Sequence, residues 1–153
     1  MTERIQKISL DERGARRSME AEHERNVAMA DLMGDNVFEP VCMKDGPYDV
    51  RLSIEEGRLV LEISSAGGQL ARVVLSVAPL RSVIRDYFII CESYYEALKA
   101  HNPAKIEAID MGRRGLHNEG SDLLRDALQG RVELDHDTAR RLFTLVCVLH
   151  IRG

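Results

Sequence analysis

The chain has 153 residues, 44% hydrophobic and 30% charged, a composition that fits one soluble globular domain over residues 1–153 and excludes a disordered chain. Its net charge is -4, and residues 1–79 carry the whole deficit, with 10 Lys/Arg against 14 Asp/Glu, while residues 80–153 carry 11 of each. No segment shows the basic surplus of a protein held to nucleic acid by its phosphates, although a local basic face is compatible with these totals.

In chain order, residues 4–10 predict a short strand with Ile8 and Leu10 on one face. A charged turn over residues 11–17 leads to Ser18, a suitable N-cap, with Glu20 and Glu22 in the first helical turn, where they suit the dipole. That helix is expected to run to Met33 and stop at Gly34, on a thin apolar stripe of Val27, Ala30 and Leu32 helped by Met29 and Met33. From Phe38 to Val77 the hydrophobic period is two. Val50, Leu52 and Ile54, then Leu59, Leu61 and Ile63, then Ala71, Val73, Leu75 and Val77 alternate across breaks at Glu56-Gly57 and Ala66-Gly67-Gly68. This is the pattern of an antiparallel meander with one wet face.

At Pro79 the period becomes helical: Leu80, Ile84, Tyr87, Phe88, Cys91, Tyr95 and Leu98 follow three- and four-residue steps, widened by Val83, Ile90 and Tyr94. Asn102-Pro103 reads as an N-cap with proline at N1, opening a helical stretch that Gly130 ends. Residues 131–134 can form a short strand. Asp135 or Asp137 then caps a last helix through Ile151, apolar nearly all round from Leu142 to Leu149 and suited to be the spine of the core. Strands come early and most helices late. The expected fold class is α+β: a small antiparallel β-meander packed against a C-terminal group of helices, with one N-terminal helix.

Three cysteines, Cys42, Cys91 and Cys147, form no CxxC, so neither a disulfide framework nor a four-cysteine zinc site is supported. Cys91 and Cys147 lie in apolar runs and are expected as buried thiols. Those runs are far shorter than the roughly 20 residues of a membrane span, and Met1-Thr2-Glu3-Arg4-Ile5 opens no signal peptide. The expected compartment is the cytoplasm, with no membrane association and no cofactor.

The stretch Asp110–Ser121, Asp-Met-Gly-Arg-Arg-Gly-Leu-His-Asn-Glu-Gly-Ser, is similar to the bacterial proteins grouped as uncharacterised protein family 0262. So are Glu22-His23-Glu24-Arg25, Phe38-Glu39-Pro40, Asp45-Gly46-Pro47-Tyr48, residues 86–95 and residues 137–153. The resemblance covers essentially the whole chain and implies no activity, cofactor or partner.

The same stretch carries the chemistry. Gly112-Arg113-Arg114-Gly115 has the GXXG form with which KH domains clamp a nucleic-acid backbone. Read as one continuous helix, it instead puts Gly112, Leu116, Gly120 and Leu123 on the stripe of Ile109, where glycines allow close helix approach. Asp110, Arg113, Arg114, His117 and Ser121 then share a flank, with Asp110 in reach of both arginines and Arg113 in reach of His117. Arg113, Arg114, His117 and Asn118, joined by Arg140 and Arg141 from the last helix, form the candidate anion site, supported by Asp110 and Glu119. Guanidinium pairs suit phosphate or carboxylate through bidentate contacts. Arg140 and Arg141 lie early in a buried helix, where cations need a partner, an internal acid such as Glu119 or an external anion. His117 with Glu119 or Asp110 has the residue types for acid/base work, but no nucleophile or metal motif accompanies it. Glu20-x-x-His23 and Glu133-x-x-His136 have di-iron spacing and read better as solvated charge. The favoured function is a non-enzymatic regulatory or scaffold protein acting through a protein partner or as a homodimer. The alternative is an anion-binding module for a phosphorylated small molecule or RNA around residues 112–115.

Overall fold

The computed structural model describes residues 3–12 and 18–150. The elements are β1 (Ile5–Leu10), α1 (Met19–Gly34), β2 (Phe38–Pro40), β3 (Tyr48–Glu55), β4 (Arg58–Ser65), β5 (Leu70–Ser76), α2 (Ala78–Lys99), α3 (Pro103–Leu128), β6 (Val132–Leu134) and α4 (His136–His150). The class is α+β, as the period change predicts.

β3, β4 and β5 are the antiparallel meander, with Leu52, Leu61 and Val73 in register on the inner face. The β3–β4 turn needs positive φ at both central residues, and Glu56 (52°) with Gly57 (75°) supplies it. β1 adds an edge strand parallel to β3, so the sheet is mixed, in the order β1-β3-β4-β5. A register shift between Ile5 and Lys7 turns both Ile5 and Ile8 inward, although they are three residues apart. The outer face is charged, with Arg51 at 3.6 Å from Glu62 and Arg72 at 3.2 Å from Glu55. Of the continuous period-two stretch from Phe38, residues 41–47 are not strand. β2 pairs instead with distant β6, Phe38 opposite Leu134.

α1, α3 and α4 start where their caps predict. The Ser18 side chain accepts from the Ala21 N–H, and the Asn102 side chain accepts from Lys105. For α4 the cap is Asp135, which accepts from the Thr138 N–H at 2.9 Å. The predicted end of α4 at Ile151 and most of the charged turn at 11–17 lie outside the described residues. α1 corrects the expected stripe. Ala21, Ala28 and Leu32 are buried, while Val27, Ala30 and Met33 face solvent. Buried Asn36 anchors the end of α1 to β1, accepting from the Ile5 N–H at 2.7 Å and donating to the Ile5 and Leu32 carbonyls.

α4 is the spine. It packs on α1, α3 and β3, and Leu142, Phe143 and every residue from Leu145 to Leu149 are buried. Among the described residues no helix is long and apolar enough to cross a membrane.

α3 is a single helix of 26 residues, so Gly112-Arg113-Arg114-Gly115 is mid-helix and not the loop that a KH-type clamp requires. Its glycines have different neighbours. A Cβ on Gly120 would lie 2.1 Å from the Phe143 ring, and one on Gly112 would lie 2.7 Å from the Ile90 Cδ1. One on Gly115 would meet nothing within 4 Å. Gly120→Ala therefore wedges α3 off α4 and is expected to cost about 1–3 kcal/mol, despite alanine's better helix propensity. Gly115→Ala, with the same propensity gain and no clash, should stabilise by up to about 1 kcal/mol. Denaturant unfolding of the two variants checks this, and equal effects would remove the claim of close approach.

Candidate functional site

All four helices border a cleft of about 700 Å³. α1 contributes His23, Glu24 and Asp31. α2 contributes Tyr87, Tyr94 and Tyr95, α3 contributes Arg113, Arg114 and His117, and α4 contributes Asp137, Arg140, Arg141 and Thr144. Five of the six predicted anion-site residues thus line one cavity. The sixth, Asn118, is outside the lining and accepts a hydrogen bond from Arg140. A depression on the outer face of the sheet has similar size, about 620 Å³, but Arg51 and Arg72 there are already paired to acids.

Each arginine has a different degree of compensation. Arg113 donates to Asp110 Oδ1 at 2.6 Å, lies 4.0 Å from Glu24 and stacks 4.7 Å from the centroid of the Tyr94 ring. Arg114 reaches the other oxygen of Asp110 at 2.8 Å with its own side chain mostly exposed. The hydrogen bond from Arg113, aided by the charge of both arginines, holds the Asp110 carboxyl below its usual range. Arg140 has a neutral partner in Asn118. Arg141 has only Asp31 at 3.8 Å, too far for a hydrogen bond, and its Nε is shielded from solvent without a hydrogen-bond partner among the described residues.

Glu119 is not the internal partner of Arg140 and Arg141. It is exposed, because one step along α3 rotates the side chain by about 100° away from Asn118. Asn118 and Asp31 stand in its place.

His117 departs furthest from its expected setting. It does not bond Arg113. It is buried against Tyr87 and Phe143, with ring centroids 5.3 Å away in each case, and its Nε2 is 2.8 Å from Thr144 Oγ1. Thr144 donates its hydroxyl proton to the Arg140 carbonyl, so its oxygen accepts from His117 and the imidazole proton resides on Nε2. Nδ1 is left as a buried lone pair without a partner among the described residues. Burial first, then the charges of Arg140 and Arg113, push the pKa of His117 down to about 4. The imidazole is neutral near pH 7.

The sequence reading missed Glu24, Asp31 and the tyrosines as site residues. Glu24 lies three residues after Ala21 and four before Ala28, on the stripe that α1 buries. A carboxylate on an alanine face is the signal that identifies it. Burial raises its pKa, and Arg113 opposes the rise. The tyrosines gave no signal, since they continue the apolar stripe of α2. Among the described residues no three His, Cys, Asp or Glu side chains group as a metal site. Glu133 accepts from the Gly130 N–H, and His136 faces Asp122 at 3.7 Å.

Residues 2–152 match the pattern of the Uncharacterised protein family (UPF0262). The chain belongs to this family. It is 58% identical over 151 residues to a UPF0262 protein of Caulobacter vibrioides, covering 98% of this chain and 94% of the relative. It is 56% identical over 152 residues to a UPF0262 protein of Brucella canis, covering 98% and 95%. No solved structure matches the chain. The family has no assigned function.

The depressed pKa of His117 makes stability depend on pH with a definite sign. Below its ordinary value of 6.5 the unfolded chain takes up a proton that the folded chain refuses until about pH 4. The contribution is therefore fully present above 6.5 and is lost as pH falls through the window toward 4. Between pH 7 and 4.5 the native protein should lose about 2 kcal/mol more unfolding free energy than His117→Gln. Urea unfolding of both chains at the two pH values measures this. Parallel losses would mean that His117 takes up its proton in the folded protein as readily as in the unfolded chain.

Proposed function

We propose that this protein is a non-catalytic binding module that takes a small carboxylate or phosphate in the four-helix cleft. The observation that carries the reading is the convergence of Arg113, Arg114, Arg140 and Arg141 from two helices on one cavity. Within it Arg141 has no hydrogen-bonded counterion among the described residues. An anion that reaches Arg140 and Arg141 gains charge-assisted hydrogen bonds without breaking a close ion pair.

Size follows from the acids. Glu24, Asp31 and Asp137 share the lining, so a long polyanion such as RNA meets repulsion along the same surface that attracts a compact anionic group. The small molecule is therefore favoured over RNA.

The protein-contact reading has less support. The breadth of the apolar faces of α2 and α4 motivated it, and those faces are largely used inside the fold. Among the described residues the most exposed large apolar side chains are Met19, Leu70 and Met111, on α1, β5 and α3, with Ile89 exposed on α2, and scattered residues of this kind are ordinary on a protein surface.

Titration of the full chain with inorganic phosphate and with acetate, by calorimetry at several salt concentrations, tests the proposal. Salt-sensitive binding is expected, weakened roughly tenfold or more in Arg140→Ala/Arg141→Ala, with thermal unfolding showing that the variant still folds. Native mass spectrometry of the purified protein adds a second readout, since a retained ligand appears as added mass. Loss of folding or assembly in the double variant, with no anion binding by the native chain, would return the protein-contact reading to first place.

A further inference from the structure

We propose that the ligand is an amphipathic anion, whose compact head meets the arginines and whose apolar body lies in a second hollow between α1 and α2. This rests on the anion-binding reading above and names the ligand class.

α1 packs on α4 and β1, and α2 packs on α3. A trough remains between α1 and α2. The arginine-lined cleft occupies one end of it, and a second cavity of about 640 Å³ occupies the other. The two share Glu24 and Tyr95 in their walls, so they adjoin each other between α1 and α2. Each is within the roughly 300–1,000 Å³ range of small-molecule sites. Ala28 lines the first and Ala21 the second, seven residues and about 10 Å of helix apart. Both are buried, and their small side chains leave the trough open beneath α1.

The two ends differ in chemistry. The floor of the second hollow is formed by Ala21, Phe88, Cys91 and Tyr95. Cys91 is buried and its thiol is pushed up to about 11, chiefly by that burial, so it packs as a neutral, polarisable surface. Glu20, Glu24, Glu92 and Glu96 stand around this hollow against Arg85, Lys99 and His150. An anionic group is thus favoured among the four arginines and disfavoured at the far end. An apolar body is favoured over the Phe88 floor. Together these fix both the ligand class and its direction in the trough.

Two matched pairs of probes test this on the full chain: acetate with octanoate, and inorganic phosphate with octyl phosphate, at constant ionic strength. Members of a pair share a head and differ in the body. Each buried methylene should multiply affinity about fourfold, so the alkyl member is expected to bind at least about tenfold tighter. The pair that shows the gain identifies the head. Backbone amide shifts should move at Ala21, Phe88 and Cys91 with the alkyl probe only, and at Arg113 and Arg140 with both members. Phe88→Ala should abolish most of the alkyl gain and leave acetate or phosphate affinity unchanged. The shift map of the unsubstituted protein keeps the test intact if that variant folds poorly. Equal affinities within both pairs, with shifts confined to the arginine end, would overturn the amphipathic ligand and leave the anion site standing. Failure of all four probes to bind would overturn both.

Discussion

The contact between Gly120 and the ring of Phe143 governs the molecule. Phe143 is fully buried on the central helix, and an aromatic ring there can be covered by α3 only if α3 presents no side chain at that point. With the glycine in place, α3 approaches α4 closely enough for two polar links beside the ring. His117 reaches Thr144, and Asn118 reaches Arg140. Ser121, also buried, returns its hydroxyl proton to the His117 carbonyl and so satisfies itself within its own helix. The cleft is built outward from this packing: arginines one turn from His117 on α3 and one turn from Thr144 on α4 open into the same space.

α1 completes the cleft through what it lacks. Its buried stripe is two alanines and a leucine, which bury little area and fill little volume. A helix with leucine at positions 21 and 28 would fill the space between itself and α2. The small stripe leaves that space open, and it admits Glu24 to a partly buried position where Arg113 offsets some of the cost of its desolvation. The link that holds such a lightly packed helix in register is Asn36, whose amide is fully engaged by β1 and by the last turn of α1.

Local order was readable in the sequence because local physics decides it. The caps Ser18 and Asn102, the hairpin break at Glu56-Gly57, the period-two run through Val50, Leu61 and Val73, and the all-round apolar face of α4 each follow from side chains within a few residues. That α3 uses glycines for close approach was also readable, but the roughly 80° between Gly112 and Gly120 turns them to different helices, Gly112 to Ile90 on α2 and Gly120 to Phe143 on α4. What stayed hidden depends on distant partners. The parallel pairing of β1 with β3 and the union of β2 with β6 join segments separated by one or more whole elements. The wrong stripe on α1 has the same origin. Valine and methionine outrank alanine in hydrophobicity, so the sequence pointed to Val27 and Met33. The available space beside α4 selected Ala21 and Ala28 instead. In the site, the cluster of Arg113, Arg114, His117, Arg140 and Arg141 was legible from charge and phase. Its acidic and aromatic wall was not, because it comes from two other helices.

Burial sets the ionisation state of several groups around the cleft. A general acid or base works best with a pKa near ambient pH; burial moves His117, Cys91 and Tyr95 away from it and raises Glu24 toward it, with Arg113 opposing that rise. His117 is driven down to about 4, while the Cys91 thiol rises to about 11 and the Tyr95 phenol to about 12, both chiefly through burial. The positive charges that border the imidazole are the arginines themselves, so the groups that attract an anion also keep His117 neutral. Near neutral pH the permanent cations stay charged and the neighbouring imidazole, thiol and phenol stay neutral. An anion that enters would meet permanent arginine donors beside a neutral imidazole, with Glu24, Asp31 and Asp137 in the same lining.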